Sequence, residues 1–332
     1  MRILTISASQ PSSRILKSRM AGDHFNLEEI MDILLHIGAH RTGTSSLQMG
    51  IGKNRQMLKK MGITYWGPSM IRKGLFAGMF RPPNTLDGDE NVKIANQSKS
   101  NINSKIQNLS ERGQTKLLIS EENIMGSMKT NLREAELYPN LFMRLAHFSS
   151  LFGSNCAKIG ISLRAYDEYW ASSIAFSITH GYHFPSKDEL TRLVNQTRSW
   201  RDIVVEVSEV FPNAKILVWD FNSLAGKNEE IVKLLTGVKL ESEFLPLDNV
   251  RHNASPRLSK LKEILMDRGD FITANKIPDH NSTYQPFTAV QIDHLKSKFQ
   301  ADLDWLKDGA DGVAHFIRDE KDINNLLLLG SS

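Results

Sequence analysis

At 332 residues, 40% of them hydrophobic, the chain is long enough to bury a sizeable core, and one large α/β domain is the expectation. A formal net charge of +4 suits an anionic ligand yet falls short of the dense basic stripe of a nucleic-acid binder, so nucleic acid is not expected as a partner. Cys156 is the only cysteine, which excludes an intrachain disulfide and a Cys-based zinc site and makes a reducing, cytoplasmic compartment the simplest expectation.

Residues 1–30 mix Ser, Arg, Lys, Asp and Glu without a clear period and hold no apolar h-region of the ~7–15 residues a secretory signal needs. They read as a poorly ordered N-terminal extension, ahead of a single domain over residues 31–325. No stretch approaches the ~18 apolar residues of a membrane span. Strands are expected at residues 33–37, 63–66, 116–120, 158–163 and 215–219, several of them nearly continuous apolar runs. Helices are expected at 44–61, with Gly62 as its stop, and at 134–152, 166–179, 199–211, 228–236, 256–268 and 289–306. Residues 67–90 and 269–288 interrupt this rhythm and read as surface loops bordering a cleft. The β-α-β-α order implies a central parallel sheet flanked by helices, with ligand beyond the carboxyl ends of the strands.

The first strand runs into Gly38-Ala39-His40-Arg41-Thr42-Gly43-Thr44-Ser45. This loop has the two glycines and the Ser/Thr of the phosphate-binding pattern G-x-x-x-x-G-K-[ST], but Thr44 stands in place of the lysine. That lysine reaches the β- and γ-phosphates of a nucleoside triphosphate, so its absence argues against ATP or GTP while leaving the backbone anion site intact. Strand, loop and helix in this order aim the N–H groups of Thr42 through Ser46 at one spot at a helix N-terminus. Arg41 adds a permanent charge, and Thr42, Thr44, Ser45 and Ser46 add hydroxyl donors. The plainer alternative is an ordinary strand-to-helix turn capped by Thr44. Further on, Arg164 lies at a strand's carboxyl end and Ser172 about two turns into the next helix, so both can reach one phosphate. A salt bridge would explain the arginine equally well.

Together these segments make the chain resemble the P-loop sulfotransferases that use 3′-phosphoadenosine 5′-phosphosulfate. In that family a loop of the form Lys-[Ser/Thr]-Gly-Thr-[Thr/Ser] binds the 5′-phosphosulfate, and a strand-end Arg with a Ser eight residues later binds the 3′-phosphate. Arg41-Thr42-Gly43-Thr44-Ser45 matches the first and Arg164 with Ser172 the second. The string from Leu35 to Gln48, with Ile119-Ser120-Glu121-Glu122-Asn123 and Asn253-Ala254-Ser255-Pro256, is similar to the bacterial branch. The resemblance implies a three-layer P-loop fold and transfer of a sulfuryl group to a hydroxyl, or an amine, of a carbohydrate, lipid or small metabolite. It implies no metal and no membrane span, and it is silent on oligomeric state.

Arg41 departs from the family's lysine, which stabilises the leaving bridging oxygen; a guanidinium can still neutralise that charge. For the base, Glu122 is preferred over Glu121; both follow a strand end, where a carboxyl raised by burial takes the acceptor's proton, and both also suit the start of a helix. His40 in the loop and His180 at the end of the helix carrying Ser172 are rival bases. Ser120 is placed either on the donor's phosphates or as a helix cap. Arg251 and Ser255 either close over the adenosine bisphosphate or, through Ser255, cap a helix. Tyr166, Tyr169, Trp170 and Phe176 have helical spacing and default to core packing, with stacking on an acceptor ring as the alternative. The acceptor is expected to be set by residues 67–90, 180–198 and 269–288. Two other readings stay open: a P-loop kinase or NTPase, for which Asp220 is a poor metal partner, and a nucleotide-binding module without turnover.

Overall fold

Five apolar runs become strands: β1 (Asp32–His36), β2 (Ile63–Trp66), β3 (Lys116–Ser120), β4 (Cys156–Leu163) and β5 (Lys215–Asp220). A two-residue strand, β6 (His315–Phe316), joins them and is too short to carry a sequence period. The computed structural model describes residues 31–76, 78–80, 88–238, 255–278 and 280–329. All six strands are parallel, in the order β2-β3-β1-β4-β5-β6. Parallel neighbours need crossover connections, and the crossovers put helices on both faces of the sheet.

Side chains alternate across that sheet as the pleat requires. Ile33, Leu35, Leu117, Ile119, Ile159 and Ile161 enter one buried cluster, where the helices Leu141–Phe152, Tyr166–Thr179, Trp200–Val210 and Ala289–Lys307 pack. Leu34, Leu118, Leu217 and Trp219 enter the other, against the helices Thr44–Lys53, Asn228–Thr236 and Glu320–Leu329. The result is a three-layer α/β architecture. Polar groups fix the helices to one another on the first face. Tyr166 donates to Asp302 at 2.5 Å and accepts from the Trp200 amide at 2.7 Å, which ties three helices at one buried point.

Gly160, central on β4, shows why one position in the sheet lacks a side chain. A Cβ there would lie 2.6 Å from Leu235 and 3.1 Å from the Trp219 ring. The space goes to Trp219, which stacks on His36 of β1 with ring centroids 5.9 Å apart.

Several expected elements differ. The helix expected over 44–61 breaks at Asn54, whose side chain donates to the Gly50 carbonyl at 3.1 Å and so competes with the helical ladder; Thr44–Lys53 and Arg55–Lys60 are separate helices. The helix expected over 134–152 starts only at Leu141, because Ala135 and Tyr138 are left-handed; the helix Met128–Glu134, capped by Ser127, precedes the turn. The 23-residue helix Gly88–Ser110 is mostly polar and lacks a clear apolar stripe in the sequence. Lys187–Val194, with its Ser186 capping box, and Glu320–Leu329 are also additional. Residues 67–80 are no simple surface loop, since Ile71, Phe76 and Met79 are buried in the core. Likewise Ile277, Tyr284 and Phe287 anchor the segment expected as the second loop. Residues 1–30, read as an extension, lie outside the described residues. Among the described residues no helix is long and apolar enough to cross a membrane.

Candidate functional site

The carboxyl ends of β3, β1 and β4 are neighbours in the sheet, so the loops that leave them share one edge. From β1 the chain turns through Gly38–Gly43 into the helix Thr44–Lys53. Gly43 is the N-cap, left-handed at φ 77°, and no side chain caps this helix, so the Thr44 cap is not what forms. An L side chain at Gly43 would be strained and would meet the Phe221 ring at 3.1 Å. The amides of Thr42, Gly43 and Thr44 meet no acceptor among the described residues, whereas those of Ser46 and Leu47 donate to the Gly43 carbonyl at 3.0 and 3.3 Å. The anion-facing set is therefore shorter than the Thr42 to Ser46 run expected. Thr42 and Thr44 also turn inward, their hydroxyls directed at the Ala39 carbonyl at 2.7 and 3.5 Å, while Ser45 and Ser46 stay half-buried on the first turn.

Arg41 itself is left-handed at φ 66°, a conformation that costs a non-glycine residue about 1–2 kcal/mol. The surroundings hold it there. Arg164, just past β4, donates from Nη1 to the Arg41 carbonyl at 2.7 Å, and its Nε pairs with Glu168 at 3.2 Å. The salt-bridge reading of Arg164 is therefore met, and the same side chain also reaches the glycine turn. The Arg41 guanidinium lies over the Phe176 ring at 4.6 Å and donates to Ser172 at 2.9 Å and Ser255 at 3.4 Å. Ser172 and Ser255 bond each other at 2.6 Å. Burial, and the like charge of Arg164 beside it, hold the Arg41 guanidinium down at about 10, so it stays cationic at neutral pH. The glycine turn and the Arg164–Ser172 pair thus meet, through the Arg41 carbonyl and through the Arg41, Ser172 and Ser255 side chains.

On the other side of the loop His40 is buried. Its amide and Nδ1 both meet the Tyr138 hydroxyl at 2.9 Å, and Nε2 lies 3.3 Å from Asn123 Oδ1. With the Tyr138 proton on Nδ1 and the Nε2 proton on Asn123, both ring nitrogens are engaged; burial lowers the imidazole below its ordinary value despite Glu122. After β3, Glu121 caps a short turn, Glu122–Ile124, by accepting the Asn123 amide at 3.0 Å, and Arg72 clamps it through two bonds of 2.8 and 2.7 Å. Glu122 accepts from Gln48 at 3.0 Å and from Arg72 at 3.0 Å. Burial raises its carboxyl, but His40, its own amide, Arg72 and Gln48 outweigh that and leave it below the usual carboxylate range. The raised carboxyl is Glu121, pushed up by burial against the pull of Arg72. The burial argument for Glu122 is thereby corrected: its carboxylate is stabilised, which keeps it ionised at neutral pH and makes it a weaker proton acceptor than burial alone would.

Other expected positions fall elsewhere. Ser120 bonds His36 Nδ1 at 2.8 Å and so caps no helix. Ser255 lies two residues before Arg257, the N-cap of Leu258–Asp267, and so does not cap that helix. Arg251 lies outside the described residues. His180 is exposed and stacks at 4.1 Å on Phe176, the ring that also carries the Arg41 guanidinium. Tyr166, Tyr169 and Trp170 are core residues. Asp220 accepts from the Asn222 amide at 3.3 Å as an N-cap. Sequence reasoning missed Gln48, Arg72, Asn123, Tyr138 and Phe221. Gln48 and Asn123 left a trace, each closing a string that the resemblance had singled out, and Gln48 also stands one helical turn after Thr44 on the same face. Comparison with protein-family models, with curated proteins and with solved structures gives no match.

Proposed function

We propose that the protein transfers a sulfuryl group from 3′-phosphoadenosine 5′-phosphosulfate to a hydroxyl acceptor. The observation that carries this reading is the convergence of an uncapped glycine turn with Arg164, Ser172, Arg41 and Ser255, two anion-binding devices joined by bonds of 2.7 and 2.9 Å. One nucleotide with phosphates at both its 5′ and 3′ positions matches such a pair. The free amides of Thr42, Gly43 and Thr44 receive the 5′ end, with Ser45 and Ser46 at the rim. Arg164, Ser172 and Ser255 receive the 3′-phosphate.

In the reaction the acceptor oxygen attacks sulfur and forms the new S–O bond. The bond between sulfur and the bridging oxygen breaks, and its electron pair leaves on the 5′-phosphate of adenosine 3′,5′-bisphosphate. Arg41 exchanges its serine partners for the donor and neutralises that charge. The acceptor proton passes to the Glu122 carboxylate, which Gln48 and Arg72 orient. His40, neutral and bonded at both nitrogens, fixes the loop against Tyr138 and Asn123. Chemistry of this kind needs orientation and charge stabilisation more than covalent participation, and the three strand ends supply both.

The test is release of adenosine 3′,5′-bisphosphate from the donor in the presence of hydroxyl acceptors. Arg41→Ala should cost about 2–4 kcal/mol of transition-state stabilisation, a loss on the order of 30- to 1000-fold, and Arg164→Ala should lose donor affinity. Wild-type rates in both variants, or turnover of ATP with magnesium in place of this donor, would overturn the assignment.

A further inference from the structure

Beside the loop a cavity of about 770 Å³ opens, with Asn123 and Tyr138, the two partners of His40, in its wall. Its wall also carries three arginines, and their partners differ. Arg72 is neutralised by Glu121 and Glu122, and Arg133 pairs with Glu134 at 2.8 Å. Arg144 pairs with no carboxylate among the described residues. It is half-buried and donates only to main-chain carbonyls, those of Asn123, Ile124 and Phe80. Three of its five N–H groups are so used, which fixes the fork and leaves two donors on Nη1 and Nη2 without a partner.

A cation held rigidly, half-buried and without a counter-ion carries a desolvation cost that a bound anion removes. Burial lowers the Arg144 guanidinium below its ordinary value, and no carboxylate among the described residues offsets the effect. A planar guanidinium with one free donor on each terminal nitrogen suits a carboxylate or sulfate, which can accept from both. The rest of the wall is mixed, with Phe80, Met125 and Met143 on one hand and Asn140, Ser127 and Thr130 on the other. That lining suits a ring with polar edges.

Resting on the transfer reading above, we infer that this cavity is the acceptor site and that Arg144 selects an acceptor bearing a carboxylate or sulfate group in addition to the hydroxyl it presents to Glu122. The residues expected to choose the acceptor then shift. Residues 123–144 line the cavity with Arg72 and Phe80, while 180–198 and 269–288 do not.

The experiment measures binding of two matched pairs to the full chain saturated with adenosine 3′,5′-bisphosphate: 4-nitrophenyl β-D-glucuronide against the glucoside, and 4-hydroxyphenylacetate against its amide. In at least one pair the acid should bind ten times more tightly or better. Arg144→Met should abolish that preference, and Arg144→Lys should keep part of it, while both variants bind adenosine 3′,5′-bisphosphate as the wild type does. Equal affinity within both pairs, no binding of any of the four, or a preference that survives Arg144→Met would overturn the inference. Failure of adenosine 3′,5′-bisphosphate itself to bind the wild type would overturn the transfer reading instead. The Lys variant also separates recognition from folding, because it keeps a cation that can reach the same carbonyls.

Discussion

Arg41 spends conformational energy to stand where it does. It is left-handed without being glycine, its carbonyl is held by Arg164, and its guanidinium rests on Ser172, Ser255 and Phe176. Strain of this kind persists only where surrounding contacts over-determine it, and here those contacts are the groups proposed to hold the donor. Gly43 is the complementary case, a turn that only glycine makes cheaply. Gly43→Ala should lower stability by about 1–2 kcal/mol, read as a fall in the urea midpoint, because a left-handed alanine is strained and its methyl presses on Phe221. An unchanged midpoint would mean that the loop does not need its observed conformation. At this scale the sequence was readable for Arg41, Gly43, Arg164 and Ser172, which sit in short strings with a known spacing. It was unreadable for Tyr138 and Arg72, which reach the site from separate elements and carry no local pattern, and Asn123 lay in the quoted Ile119–Asn123 string without a role of its own.

Among the elements, β1 and β3 matter most because their last residues face each other in register, His36 against Ser120. His36 bonds Ser120 and stacks on Trp219, and burial lowers its imidazole from 6.5 to about 4 against the opposing pull of Glu122. The unfolded chain therefore binds a proton in this window that the folded chain does not. The contribution of His36 is complete above pH 6.5 and is lost as pH falls toward 4, about 3 kcal/mol across the window; His40 adds a loss of the same sign. Denaturant titrations at pH 7 and pH 4.5 should show the wild type losing more stability than His36→Asn by about 2–3 kcal/mol. Equal losses would mean that His36 is not held neutral.

The same scale shows what a period can and cannot announce. β2, β3 and β5 are short apolar runs between turn signals and fall where the sequence places them, β5 one residue longer. The helix Gly88–Ser110 buries little beyond Ala95, Ser98 and Ile102, so its letters show almost no stripe. In residues 67–80 the buried Ile71, Phe76 and Met79 stand among Gly and Pro, and the breakers hide the core residues. Arg72, carried on that segment, was missed for the same reason.

Across the whole molecule, six parallel strands set three loops side by side, and chemistry follows from which loops those are. β1 contributes the glycine turn, β4 the guanidinium of Arg164, and β3 the paired glutamates, so the cationic groups and two carboxylates meet at one edge of the sheet. The parallel sheet was legible as a whole because strands buried on both faces are written in continuous apolar letters. The cavity lined by Arg144 was not, because its wall is assembled from segments whose contact depends on the packing of the helix Leu141–Phe152.

Binding of adenosine 3′,5′-bisphosphate, followed by thermal shift beside adenosine 5′-monophosphate and ATP with magnesium, tests the two-pocket nucleotide site most directly. The bisphosphate should raise the midpoint by several degrees, well beyond either other nucleotide, and Arg164→Ala with Ser172→Ala should erase the difference. A bisphosphate shift no larger than that of the monophosphate, or a larger shift with ATP and magnesium, would contradict it.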